Sequence, residues 1–158
     1  MPDRVIQLAD GRTLAIDERG SYDAPAVVLL HPAPGSRRFD PDPAATAAAG
    51  IRLLTIDRHG YGGSTPLPDG AVPTVVGHAD DVAMALDQLG VAQAGIIGWS
   101  AGGRVRTTLV YGGADAIAGP LHGEWYAARI PRAKLQVVPG SGHLVALNAW
   151  ASIIAAVA

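Results

Sequence analysis

The 158-residue chain contains no cysteine, which excludes disulfides, a thiol nucleophile and cysteine-based metal sites. Aromatic residues are scarce at 5%, so alanine and valine carry much of the 49% apolar content. Charge is sparse as well: charged residues make up 16%, and the net charge is −2. There is no basic stripe, which argues against nucleic acid or an anionic membrane surface as a partner. No apolar run approaches the length of a membrane span. Residues Met1 to Leu14 lack the charged-then-apolar pattern of a secretory leader, so the expected setting is cytoplasmic. What remains is a core-rich composition and a length sufficient for one domain, expected to span residues 1–158.

The order of local patterns points to an α/β fold. Val5 to Leu8 and Thr13 to Ile16 read as short strands around Asp10-Gly11, a dipeptide suited to a hairpin turn. Ala26-Val27-Val28-Leu29-Leu30 and Ile51 to Ile56 are continuous apolar runs, as expected of strands covered on both faces. Pro32 to Pro43 must be loop, Ala44 to Ala49 a short helix stopped by Gly50, and His59 to Pro73 a second loop. Val75, Ala79, Val82, Leu86 and Leu89 recur at helical spacing between a Thr74 N-cap and a Gly90 stop. A strand through Ile96-Ile97, a strand-like Thr107 to Tyr111, a helix with Leu121, Trp125 and Ala128 on one face, a strand at Leu135 to Val138 and a terminal helix from Leu144 complete the series. Strands alternating with helices imply a mostly parallel sheet with helices on both faces.

Gly98-Trp99-Ser100-Ala101-Gly102 follows one of these strands and has the Gly-x-Ser-x-Gly form of a nucleophile elbow. Small residues two places to either side let the chain turn sharply, and the turn pushes the serine hydroxyl into a cleft. A serine hydroxyl needs a base within hydrogen-bond reach, and imidazole is the natural choice. His143, in Gly140-Ser141-Gly142-His143, sits just past the C-terminal end of a strand, where sites gather in open α/β sheets. The base in turn needs an acid, and only Asp115 and Glu124 lie between Ser100 and His143. Asp115 follows a strand in the turn Gly112-Gly113-Ala114-Asp115, whereas Glu124 reads as a solvated helix residue. Ser, then Asp, then His is the chain order of one hydrolase architecture and differs from the chymotrypsin and subtilisin orders.

With these residues in place, the chain resembles the α/β-hydrolase superfamily, in its esterase, lipase and perhydrolase branch. The matching segments, in order, are Leu29 to Ser36, Asp57-Arg58-His59-Gly60-Tyr61-Gly62-Gly63-Ser64, the elbow, Tyr111 to Asp115 and Gly140 to His143. The resemblance implies Ser100 as nucleophile, His143 as general base and Asp115 as its orienting acid. It also implies an oxyanion hole from the backbone N–H of Ala101 and one from the loop His31 to Gly35. Pro32 stands where the family usually has glycine and has no N–H, and Pro34 has none either, so the second donor falls to Ala33.

One region departs from the family pattern. Only residues 100–106 separate the strand before Ser100 from the run beginning at Thr107, and the cap and intervening elements of the family are missing. A parallel crossover with a helix needs roughly a dozen residues. Either a short return leads to a strand at 107–111, or Ala101 to Tyr111 is itself helical and no strand delivers Asp115. The chain is accordingly a small cap-less hydrolase, a protein that completes its sheet by exchange within a homodimer, or a truncated product.

The leading functional expectation is a serine hydrolase cleaving carboxylic esters of small acyl groups, with a small-molecule ester as its partner. The alternatives are a cofactor-free perhydrolase with the same triad and a catalytically dead hydrolase acting as a binding protein. No cofactor is expected. A metal site is not expected either, since no histidine pair has ligand spacing and neither His31 nor His59 has a carboxylate companion on a shared helix.

Overall fold

The structure is a computed structural model that describes residues 4–99, 108–128 and 134–157. They fall into two compact units, the first carrying β1–β5 and α2, the second α1, α3, α4, β6 and β7, as defined below.

The first unit is built on the apolar runs. β1 (Arg4–Gln7) and β2 (Thr13–Arg19) form the hairpin expected around Asp10-Gly11. β3 (Ala26–Leu30), β4 (Arg52–Ile56) and β5 (Ala94–Gly98) follow, and the sheet order is β1-β2-β4-β3-β5. β1/β2 and β2/β4 are antiparallel, while β3 pairs in parallel with both β4 and β5. Val27, Val28, Leu29, Leu53 and Leu54 are completely buried, which is why these strands read as unbroken apolar runs instead of alternating ones. α2 (Val75–Gln88) begins where the sequence predicts, with Thr74 Oγ1 accepting the N–H of Gly77, and it buries Val82 and Ala85.

Charged side chains inside this unit are paired. Glu18 accepts from Arg52 Nε at 2.7 Å and forms an ion pair with Arg4, whose Nε is 2.9 Å from Oε2, and Arg19 bridges Asp17 and Asp40. Such pairs fix geometry more than they add stability, because desolvation offsets much of the attraction.

The second unit contains β6 (Thr108–Gly112) and β7 (Lys134–Val138), paired in parallel in register from Thr108↔Lys134 to Gly112↔Val138. Residues 108–112 being a strand removes the alternative in which 101–111 is helical as a whole, and Asp115 does follow a strand. α1 (Pro43–Ala48) is capped by Asp42, whose Oδ1 accepts from Ala44 and Ala45 N–H. α4 (Val145–Ala155) supplies most of this unit's core with Ala146, Ala149, Trp150, Ile153 and Ile154. Trp150 Nε1–H donates to Thr46 Oγ1 at 2.8 Å, which joins α4 to α1.

α3 (Pro120–Ala127) differs from its sequence reading. Its apolar face of Leu121 and Trp125 is exposed, and the inward position is Gly123. A Cβ there would meet Leu135 and the Tyr111 ring, so close helix-to-sheet approach took precedence over burial of large side chains. Among the described residues, no helix is long and apolar enough to cross a membrane.

Candidate active site

Two loops of the second unit bring an acid and an imidazole together. Because β6 and β7 run parallel, their C-terminal loops leave from the same edge of the pair. Backbone bonds then tie the loops to each other, Gly113 N–H donating to Val138 O at 2.8 Å and Ala114 N–H to Ser141 O at 2.9 Å. The approach is so close that a Cβ on Gly112 would collide with the carbonyls of Ser141 and Gly142. Only glycine fits there, a reason for Gly112 that the sequence alone shows merely as a turn signal.

Asp115 and His143 emerge from these tied loops with Asp115 Oδ2 3.0 Å from His143 Nδ1. The other oxygen, Oδ1, accepts the N–H groups of Ile117 at 2.8 Å and Ala118 at 3.0 Å, an Asx-type turn that fixes the carboxylate plane. The Ala118 N–H is the foremost cause holding the Asp115 carboxyl below its ordinary range, ahead of Ile117 and His143, while desolvation opposes them. Asp115 therefore stays ionised, as an acid that orients an imidazole and stabilises its charged form must. The Asp115 side chain is nearly buried and that of His143 is 40% exposed. With the Nδ1 proton committed to Asp115, Nε2 is the nitrogen that can accept a proton from a substrate-side group. Glu124, the other acid considered from sequence, is exposed on α3.

The first unit holds the other candidate elements. β3 and β5 are adjacent and parallel, with Leu30 opposite Gly98, and Trp99 N–H continues the pairing onto Leu30 O at 3.1 Å. The loop His31 to Gly35 and the approach to the elbow thus leave one edge side by side. Trp99 packs on Phe39, ring centroids 4.9 Å apart. Ser100 and Ala101, the expected nucleophile and first oxyanion donor, lie outside the described residues.

Ala33 is exposed in the loop after β3. Its peptide orientation has a specific cause. The Pro32 carbonyl accepts from His31 Nδ1 at 2.7 Å and from Arg58 Nη2 at 3.2 Å. In a trans peptide the following N–H points opposite to the carbonyl, so Ala33 N–H is turned away from His31 and Arg58. Gly35 leaves the room this arrangement needs, since a Cβ there would meet Pro32 O at 2.6 Å and His31 Nδ1 at 3.0 Å.

Arg58 is held in turn by the loop after β4. The Asp57 carboxylate, fully buried, accepts from Arg37 N–H at 2.6 Å, from Gly63 N–H at 2.9 Å and from the Arg37 guanidinium. Ser64 Oγ donates to Asp57 O at 2.8 Å and accepts Ala15 N–H at 3.0 Å. The Asp57 to Ser64 segment is therefore a scaffold that presents Arg58, a role the sequence motif did not disclose. Burial lowers the affinity of His31 for a proton, and its Nε2 is buried without a hydrogen-bond partner among the described residues.

Comparison with known proteins gives the same architecture. Among solved structures, a hydrolase from Pseudomonas aeruginosa superposes with a TM-score of 0.79 at 17% identity, covering 98% of this chain and 96% of its own. An esterase from Exiguobacterium antarcticum gives 0.78 at 14% identity with 96% of each chain covered. A bromoperoxidase from Bacillus anthracis gives 0.79 at 13% identity with 98% of each covered. No curated protein matches the chain in sequence. At these identities the structural likeness speaks for the fold alone. The sequence itself adds the decisive match: a profile of the alpha/beta hydrolase fold aligns with residues 25–109, more than half of the 158. The chain belongs to the α/β hydrolase fold family.

Proposed function

We propose that the chain, working as one domain, is a serine hydrolase that cleaves carboxylic esters of small acyl groups through Ser100, His143 and Asp115. The observation that carries this reading is the contact of Asp115 Oδ2 with His143 Nδ1 at 3.0 Å, at the ends of two adjacent parallel strands. A carboxylate held ionised by backbone N–H groups and aimed at one imidazole nitrogen is the orienting half of a nucleophilic triad. The elbow motif around Ser100 supplies the other half.

In this mechanism Ser100 Oγ attacks the ester carbonyl carbon while its proton passes to His143 Nε2. The carbonyl oxygen becomes an oxyanion and accepts the N–H groups of Ala101 and Ala33, each donor contributing about 3 kcal/mol to transition-state stabilisation. Collapse breaks the bond to the alkoxy group, which leaves as the alcohol with the proton from His143. Water, deprotonated by the same nitrogen, then cleaves the acyl-enzyme and releases the acid. The absence of a cap from the sequence pattern leaves little to enclose a long acyl chain, which favours small esters.

Reaction with a fluorophosphonate probe, followed by peptide mass spectrometry, tests the reading. Labelling is expected at Ser100, absent in Ser100→Ala and weakened in His143→Ala. A folded sample that takes no label would overturn the proposal in favour of a catalytically dead binding protein. Because a bromoperoxidase is among the structural neighbours, the same esters assayed with peroxide in place of water will separate hydrolysis from perhydrolysis.

A further inference from the structure

Two histidines with no place in the proposed mechanism meet inside the first unit. His59 belongs to the scaffold loop after β4, and His78 stands in the first turns of α2. Their rings meet edge to face with centroids 5.8 Å apart. Asp81 lies three residues beyond His78, on the same helical face, and its carboxylate is buried. One ligand atom from each of the three side chains falls within 4.8 Å of the others, and His59 Nδ1 is 3.8 Å from Asp81 Oδ2. The sequence reading expected no metal site because eighteen intervening positions keep the pair from any ligand spacing. The fold removes that separation.

What distinguishes the cluster from an ordinary packed histidine is its unsatisfied polar surface. His59 Nδ1 and both ring nitrogens of His78 are buried without a hydrogen-bond partner among the described residues. Buried polar atoms of this kind nearly always have a partner, and one nitrogen from each ring beside one carboxylate calls for a species that binds lone pairs. Arg12 does not occupy the position. Its guanidinium takes one lone pair from each Asp81 oxygen, at 2.9 and 2.7 Å, and leaves the second lone pair of each available. Arg12 is shared with Asp10 as well, so it is not committed to Asp81 alone.

We propose that His59, His78 and Asp81 form a binding site for a divalent transition-metal ion, zinc foremost, that ties the loop after β4 to α2. Two imidazoles and one carboxylate suit zinc, which commonly takes three protein ligands and a water, and they suit calcium or magnesium poorly. Tetrahedral bonds of about 2.0–2.1 Å require ligand atoms about 3.3 Å apart, so the side-chain tips must close by up to about 1.5 Å from their present spacing. The Arg12 fork would hold the Asp81 carboxylate from behind, as outer-shell partners of metal ligands do. The site rests on no part of the proposed hydrolytic mechanism.

The test uses the untagged 158-residue chain, which without cysteine offers no competing thiolate. Cobalt(II) titration followed by visible absorption, and zinc titration against a chromophoric chelator, should both give one equivalent. His59→Ala and His78→Ala should each weaken zinc binding by about a hundredfold or more, beyond the range usual for outer-shell changes. His122→Ala and His143→Ala should leave the affinity unchanged. On the unaltered protein, zinc should shift the imidazole nitrogen resonances of His59 and His78 and not that of His122, which keeps the test valid if a variant fails to fold. Absence of stoichiometric binding, or binding that survives loss of either His59 or His78, overturns the proposal.

Discussion

The two units carry their burial in different places. In the first, β4 is buried at all five positions and β3 at four of five, and buried carboxylates are matched with arginines. In the second, no residue of β7 is fully buried, and the core lies in α4 instead. Yet it is the second unit that holds the Asp115–His143 pair, on loops tied by backbone hydrogen bonds. The comparison teaches that an acid–imidazole pair can be positioned by strand register and two close backbone approaches while the most deeply buried strands sit elsewhere.

The comparison would break first at Asp115. Asp115→Asn keeps the side chain's shape but lets the imidazole adopt the wrong tautomer, so kcat for a small ester should fall about 10⁴-fold. The urea midpoint should barely move, since asparagine keeps the Oδ1 acceptor for the Ile117 and Ala118 N–H groups. A large stability loss with intact activity would make the pair structural. Steady-state kinetics and urea melts on one sample decide it.

Matched truncations sharpen the contrast in packing. Leu54→Ala, in fully buried β4, should cost about 3 kcal/mol in urea unfolding. Leu135→Ala, in half-buried β7, should cost about 1 kcal/mol. Equal losses would show that the difference in burial has no energetic consequence.

The smallest effect is one of pH. His31, fully buried in the first unit, has its proton affinity lowered by burial, so the unfolded chain binds a proton more readily. Stability should therefore decline as the pH falls below the ordinary imidazole value of 6.5. The decline should be shallower in His31→Asn, measured as chemical-denaturation stability across that range. An identical slope in the variant would remove His31 from the account.

Much of this was legible from residues alone because it depends on local pattern. Unbroken apolar runs gave β3 and β4, and Thr74 carries the cap that begins α2, whereas the Asp42 cap of α1 emerged only in the structure. The Asp115-to-His143 assignment rested on each residue following a strand, and parallel pairing of those strands brings them together. The exposed apolar face of α3 was misread, because helical periodicity does not reveal that a glycine must occupy the closest approach to the sheet.

The sequence by itself determined the order of elements, the family and the chemical types available, because turn preference, apolar period and motif spacing are properties of neighbouring residues. Only the tertiary structure decided which distant groups share a space. It turned the Pro32 carbonyl onto His31 and Arg58 and brought His59 against His78 and Asp81. Such encounters depend on register and on the close approach of backbones, and both are fixed by packing across the whole fold.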